Sequence, residues 1–342
     1  MIAAVWFCLV AIMLAGYVVL DGFDLGAGIV HLFVARTDRE RRQILGSIGP
    51  VWDGNEVWLI AGGGTLYFAF PALYAAAFSG FYLALMMVLW LLILRGISIE
   101  LPGHIESGLW QPFWDLVFGG SSALLALLFG VALGNVVRGV PLDSEGFFFL
   151  PLWTNLQPGR APGVVDWFTL LAGLAAFVAL TLHGCCWVAS RTEGDLQLRA
   201  RAFGAKTWWM VLASTALITF FSFRQQPHLE AQFAAHPWGY VFPLLALAGL
   251  AGLRLFAARR RDPAAFLCSC LYLVGMLTSA AFGVFPYVLP SNLAPEAGLT
   301  IFNASAAPHG LYIGLAWWIP GMLLAAGYSI FVYRRLPAKV EG

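Results

Sequence analysis

Four carboxylates define what chemistry this chain could do: Asp21 and Asp24 inside one long apolar run, Asp53 and Glu56 at the start of another. Each pair is spaced three residues apart, so on a helix its members project from one face. An ionisable group placed in a membrane helix costs about 2.5–3.5 kcal/mol on insertion scales. Acids that costly, gathered at interior positions, fit a proton or cation entry route. A structural role fits them too: capping a helix N-terminus, which suits Asp53, or binding an arginine such as Arg36 or Arg95. Residue types alone leave both open.

The elements that must hold these acids follow from composition. The 342 residues are 60% hydrophobic and 11% charged, with a mean hydropathy of +0.80. Soluble domains are nearer a quarter charged, so an all-α integral membrane protein is expected, one membrane domain over 1–342. Runs of roughly 20 apolar residues, the length that crosses a bilayer core, fall near 3–32, 51–70, 73–94, 114–136, 164–189, 207–223, 238–258, 264–287 and 308–333. Nine transmembrane helices are therefore expected, the second and third joined by a hairpin at Pro71. Loops after odd-numbered spans, with the tail, take 16 of the 19 Lys and Arg, Arg95 among them. By the positive-inside rule the N-terminus is outside and the C-terminus cytoplasmic. Both acidic pairs then lie at similar depth near the inner face, with Glu100 and Asp115 on the same side. Gly22 and Gly26 form a small-xxx-small step beside the first pair, and Gly62–Gly64 removes side chains beyond the second, so close helix contacts are expected at both.

Other candidate groups are weaker. His104, His228 and His236 fall in loops and are expected to be solvated, and His31 lies near the inner end of the first helix. His183 and His309 are the plausible haem or metal ligands, but no histidine pair has ligand spacing, so packing roles are favoured. The five cysteines lie in apolar runs and read as packing residues, not disulfides or a metal site. Trp153, Trp167, Trp208, Trp209, Trp238, Trp317 and Trp318 are expected as interfacial belt residues. The N-terminus lacks a basic region and a cleavage site, so it reads as a retained helix. No phosphate loop, dinucleotide fingerprint or hydrolase elbow occurs, and no nucleic-acid surface is apparent. The residues thus allow an energy-converting subunit, a scaffold, or a cation-coupled secondary transporter in which Gly62–Gly64 is an unwound segment.

Five motifs narrow this. Asp21-Gly-Phe-Asp-Leu-Gly-Ala-Gly28, Pro50-Val-Trp-Asp-Gly-Asn-Glu-Val-Trp-Leu59, Tyr74-Ala-Ala-Ala-Phe-Ser-Gly-Phe-Tyr82, Gly134-Asn-Val-Val-Arg-Gly-Val-Pro141 and Phe285-Pro-Tyr-Val-Leu-Pro-Ser291 occur in order along nearly the whole chain. Together they resemble subunit II of the cytochrome bd-type quinol oxidases. The resemblance implies two four-helix bundles (about 1–137 and 164–287) plus a peripheral ninth helix at about 308–333. It also implies a haem-bearing subunit I as partner in a bacterial inner membrane, with small accessory subunits, membrane lipid and quinone as further associates. That partner carries haem b and haem d, or b-type haem only, and oxidises quinol while reducing dioxygen to water. No cofactor or metal is implied in this chain. The implied role here is assembly and a cytoplasmic proton path, which carries over to Asp53 and more loosely to Asp24 and Asp21. Glu56 stands where relatives carry Glu or Gln. Some members of the cyanide-insensitive branch share it and a similarly short chain, which leaves branch and haem content open.

Overall fold

The computed structural model describes residues 1–101, 109–143 and 145–340; His104 lies outside the described residues. The chain is mostly helical. In order run α1 (Ile2–Val34), α2 (Asp38–Ile48), α3 (Trp52–Ala69), α4 (Pro71–Gly80), α5 (Tyr82–Glu100), α6 (Trp110–Arg138), α7 (Trp167–Arg191), α8 (Gly194–Gln225) and α9 (Pro227–Ala235). A 3-10 turn (Pro237–Tyr240) leads into α10 (Val241–Ala258), then α11 (Asp262–Val284), a two-stranded ribbon of β1 (Tyr287–Leu289) and β2 (Leu299–Thr300), and α12 (Pro308–Arg335).

Seven helical segments among the described residues are long and apolar enough to cross a membrane: α1, α5, α6, α7, the 3-10 turn with α10, α11 and α12. Of the nine expected, α3 and α8 occupy the other two positions without meeting that measure. The first has 18 residues and spends its opening turn on Asp53, Asn55 and Glu56. The second carries Asp195, Arg199, Arg201 and Lys206 before its apolar part begins. The run expected at 73–94 is divided into α4 and α5 at Phe81, and Pro71 opens α4, where its missing N–H costs nothing. Between the first two apolar runs, Thr37-Asp-Arg-Glu40 builds a capping box for α2.

Two helices organise the packing. α1 contacts α3, α6, α7 and α11, while α7 contacts α1, α6, α8 and α11. Their crossing rests on glycine: a Cβ on Gly26 would lie 2.2 Å from the Leu180 carbonyl oxygen, and one on Gly184 would lie 2.1 Å from the Gly26 carbonyl carbon. The small residues beside Asp21 and Asp24 thus serve contact with α7. Gly62–Gly64 does not behave as expected. α3 runs through it unbroken, and a Cβ on Gly63 or Gly64 would meet nothing within 4 Å. Trp208 is not a belt residue either, since its indole N–H donates to the Leu250 carbonyl at 2.9 Å and joins α8 to α10. α12 is almost wholly uncovered, with Leu311 its one buried residue.

Most of the basic residues collect at one end. Arg199 pairs with Glu40 and donates to the Val34 carbonyl at 2.8 Å. Arg191 donates to the Pro337 carbonyl, and Lys339 to that of Thr192. Burial alone would push the Glu40 carboxyl up, but the Arg36 N–H, Arg199 and the Thr37 N–H more than offset it and hold its pKa below the ordinary 4.5. A folded-state pKa that is depressed stabilises the protein above the unfolded value, and that contribution is lost as pH falls through the folded value. Thermal unfolding followed from neutral pH to below 4.5 should therefore show a smaller acid-side loss in Glu40→Gln than in wild type. At the opposite end, Asp166 accepts from the Phe168 and Thr169 N–H groups at 2.8 and 2.9 Å and ion-pairs with buried Arg138, fixing α7 against α6.

Candidate functional site

Asp21 and Asp24 sit a little beyond the middle of α1, both fully buried. The group that neutralises Asp21 is Arg95 on α5, itself fully buried. Arg95 is thus no loop residue: the apolar run continues through Ile97 and Ile99, and the helix extends to Glu100. Its guanidinium forks onto the carboxylate, Nη2 to Oδ1 at 2.5 Å and Nη1 to Oδ2 at 3.0 Å. The same Nη1 reaches Glu56 Oε1 at 2.9 Å, and the Glu56 side chain keeps 23% of its surface exposed. One arginine therefore ties α1, α3 and α5 together.

Asp24 has a different partner. Asn55 Nδ2 donates to Asp24 Oδ2 at 2.7 Å and lies 3.3 Å from the Leu20 carbonyl. Asn55 Oδ1 in turn accepts from the Tyr333 hydroxyl of α12 at 2.7 Å. Asp53 is exposed in the first turn of α3. It makes no cap: the N-cap of that helix is Val51, with no side-chain hydrogen bond. Three buried polar atoms around the acids, Tyr17 Oη, Asp24 Oδ1 and Arg95 Nε, have no hydrogen-bond partner among the described residues.

Of the four predicted site residues, the structure thus joins Asp21 and Glu56 through Arg95, sets Asp24 beside them on Asn55, and leaves Asp53 at the surface. Asp21 is fully buried and ion-paired with Arg95. Asp115 forms a separate cluster, 3.2 Å from His31 Nε2 and 3.0 Å from Arg41 Nη1. Glu100 accepts from the Trp52 indole at 3.3 Å. Sequence reasoning missed Tyr17 and Tyr333. The first could have been found, because 17, 21 and 24 follow the i, i+4, i+7 spacing of one helix face. Nothing local pointed to Tyr333, which lies 278 residues from its partner.

Both ring nitrogens of His183 are engaged, Nδ1 with Ser269 Oγ at 2.7 Å and Nε2 with the Val19 carbonyl at 3.0 Å. Its ring stacks on Phe266. His309 is exposed at the start of α12. His228 is not a solvated loop residue: it lies in α9 and bonds to the Phe285 carbonyl at 2.8 Å. The five cysteines are free.

Four of the five sequence motifs meet in pairs. The first two meet at the Asp21–Arg95–Glu56 and Asp24–Asn55 contacts just described. The last two pair through backbone: the Val140 N–H donates to the Pro290 carbonyl at 3.0 Å, and the Asn292 N–H to the Val140 carbonyl at 3.1 Å. This needs Gly139 at φ +88°, a conformation side chains disfavour. The Tyr74–Tyr82 segment receives Phe148 over Gly80, where a Cβ would lie 2.2 Å from the ring.

Fold and site together define a multi-pass α-helical membrane protein with a buried ionic centre where three helices meet. A family model described as cytochrome bd terminal oxidase subunit II matches residues 2–336, and the chain belongs to that family. As such it is a subunit of an oxidoreductase complex. Relatives include the cytochrome bd-I ubiquinol oxidase subunit 2 of Escherichia coli, 34% identical over 327 residues that cover 87% of this chain and 84% of that one. The probable cytochrome oxidase subunit 2 of Haemophilus influenzae is 32% identical over 324 residues, with the same coverage of 87% and 84%. The cytochrome bd ubiquinol oxidase subunit 2 of Bacillus subtilis is 29% identical over 300 residues, covering 87% and 85%. In fold, the chain matches one from the structure of bd oxidase from Geobacillus thermodenitrificans with a TM-score of 0.75, at 16% identity, over 97% of this chain and 98% of that one.

Proposed function

We propose that this chain is the haem-free or haem-poor subunit II of a bacterial quinol:oxygen oxidoreductase, needed for assembly with a haem-bearing subunit I, and that it offers a proton-uptake path for the reduction of O2 to water. The proposed orientation is N-terminus outside and C-terminus cytoplasmic, from the collection of basic residues at one end. The nine-span count belongs to the same reading, with α3 and α8 crossing as less apolar helices.

The observation that carries the path is the graded burial of one set of acids. Asp53 is exposed, Glu56 is partly exposed, and Asp24 is buried. A proton taken at Asp53 or Glu56 would pass inward to Asp24, whose Oδ1 has no partner among the described residues. Ordered water is the usual way such buried polar atoms are satisfied, and it would supply the links. Asp21 serves the path as fixed counter-charge through Arg95, not as a carrier. Subunit I holds the haems and the site of quinol oxidation. His183, with both nitrogens engaged, supports placing the haems there.

Asp53→Asn tests the path. Quinol oxidase turnover should fall by roughly tenfold, about 1.4 kcal/mol on the barrier, while the haem spectra of the assembled complex stay unchanged. Wild-type turnover in the assembled variant would remove Asp53 from the path. Glu56→Gln should cost less, because an amide can still accept from Arg95.

A further inference from the structure

A cleft of about 340 Å³ opens between α8 and α10, at the end of the molecule where the basic residues collect. It exists because each of these helices packs on a different neighbour. α8 lies along α7 and α10 along α11, so the two splay apart. Two links bound the gap. The Trp208 indole donates to the Leu250 carbonyl at the inner end. At the mouth, Arg201 forks onto Asp262, Nε to Oδ1 at 2.9 Å and Nη2 to Oδ2 at 2.5 Å.

The lining has two characters. Its floor is apolar and buried, with Leu182, Cys185 and Leu253. Its rim carries Arg201, Arg254, Arg260 and Asp262. Arg201 and Asp262 neutralise one another, whereas Arg254 and Arg260 are exposed and pair with no carboxylate among the described residues. Arg254 instead lies over the Trp208 ring, 5.8 Å from its centroid. The rim therefore has two uncompensated positive charges above an apolar slot.

Arg260 adds a conformational oddity. It follows the end of α10 with φ +56°. The Arg261 N–H closes back on the Phe256 carbonyl at 3.0 Å. That is the turn in which glycine ordinarily takes the left-handed position. An arginine held there, against backbone preference, places a cation at the rim.

We propose that this cleft binds one anionic phospholipid of the adjacent leaflet, its acyl chain between α8 and α10 and its phosphate held by Arg254 and Arg260. Leu198, on the lining, is itself exposed, so the slot opens onto the outer apolar surface. A soluble anion would use the rim and leave the floor unfilled. Basic pockets between helices at a membrane surface are built to take such headgroups.

The test uses the intact complex of this chain with its haem-bearing partner, purified in detergent. The probe is phosphatidylglycerol with a photoreactive acyl chain, and cross-linked peptides are mapped by mass spectrometry. Labelling should concentrate on α8 and α10 and exceed that of the equivalent phosphatidylcholine probe. It should fall about fivefold per arginine removed and about 25-fold in R254Q/R260Q, from the attraction of one basic side chain for an anionic surface. R260G suits the turn better than arginine, so the fold holds and labelling should still drop about fivefold. Equal labelling by phosphatidylcholine, or unchanged labelling in R260G, would overturn the proposal. Displacement by excess inorganic phosphate would also overturn it, in favour of a soluble-anion site. Oxidase turnover and haem spectra, recorded on the same samples, report on the proton-path reading independently.

Discussion

Arg95→Gln is expected to leave the membrane nearly devoid of assembled complex. The guanidinium is fully buried, makes two hydrogen bonds to Asp21 and one to Glu56, and connects three helices. Removing one partner from a buried ion pair costs about 3–5 kcal/mol, because the other charge remains in a dry site. Whole domains are stable by only about 5–15 kcal/mol, so a loss of that size reaches the folded population directly. Glutamine can donate one hydrogen bond to Asp21 but cannot neutralise it. Arg95→Lys keeps the charge and loses the planar fork, so it should fall between wild type and Arg95→Gln. Replacing the pair as a unit, Asp21→Asn with Arg95→Gln, should recover much of the loss, since neutralising both members of a buried pair is often nearly neutral. Blue-native gels and the haem spectrum of solubilised membranes measure this. Full assembly of the single variant would show that Asp21 is solvated or protonated when the partner is present, and the anchor role assigned to it would be withdrawn.

The contrast with Asp53→Asn separates the two roles weighed for these acids. A structural acid is lost with assembly, and a carrier with turnover. In the proposed reading both kinds occur, Asp21 on α1 and Asp53 on α3, and spacing could not sort them. Asp21 and Asp53 have the same side chain, each three residues before another acid. What distinguishes them is Arg95, which a charge count along the chain assigns to a loop because it follows Leu94 at the edge of an apolar run. The apolar residues on its far side, Ile97 and Ile99, were the available sign that the helix continued. The membrane class and the shared helix face of Asp21 and Asp24 were legible because they rest on composition and local periodicity, and the family was legible because five motifs in order resemble it. The Tyr333–Asn55 contact and the meeting of Val140 with Pro290 were not, because they depend on where distant helices end. The helix count blurred for a different reason: α3 opens on Asp53, Asn55 and Glu56, and α8 carries Asp195, Arg199, Arg201 and Lys206 before its apolar part, so neither reads as an uninterrupted apolar span.

Gly184→Leu should have the second largest effect, by a different mechanism. At this crossing the obstacle is backbone. A Cβ on Gly184 would lie 2.1 to 2.5 Å from three Gly26 backbone atoms, and one on Gly26 would lie 2.2 to 2.7 Å from Leu180 and Gly184 backbone. No rotamer change can relieve that, so α1 and α7 must move apart. Overpacking in ordinary cores costs about 1–3 kcal/mol because side chains can shift; here the cost should exceed that range, and even Gly184→Ala should impair assembly. The displaced helix is also the one that carries Asp21 and Asp24, so any complex that survives should lose turnover as well. Gly63→Ala supplies the control. It lies on a helix interior, with no atom within 4 Å of the added methyl, and alanine favours helix by up to about 1 kcal/mol over glycine. Thermal unfolding and assembly of the two alanine variants, compared side by side, should therefore move in opposite directions. If Gly184→Ala assembled as well as Gly63→Ala, α1 and α7 could not be in backbone contact at Gly26, and the acids would not be held where their pairing requires.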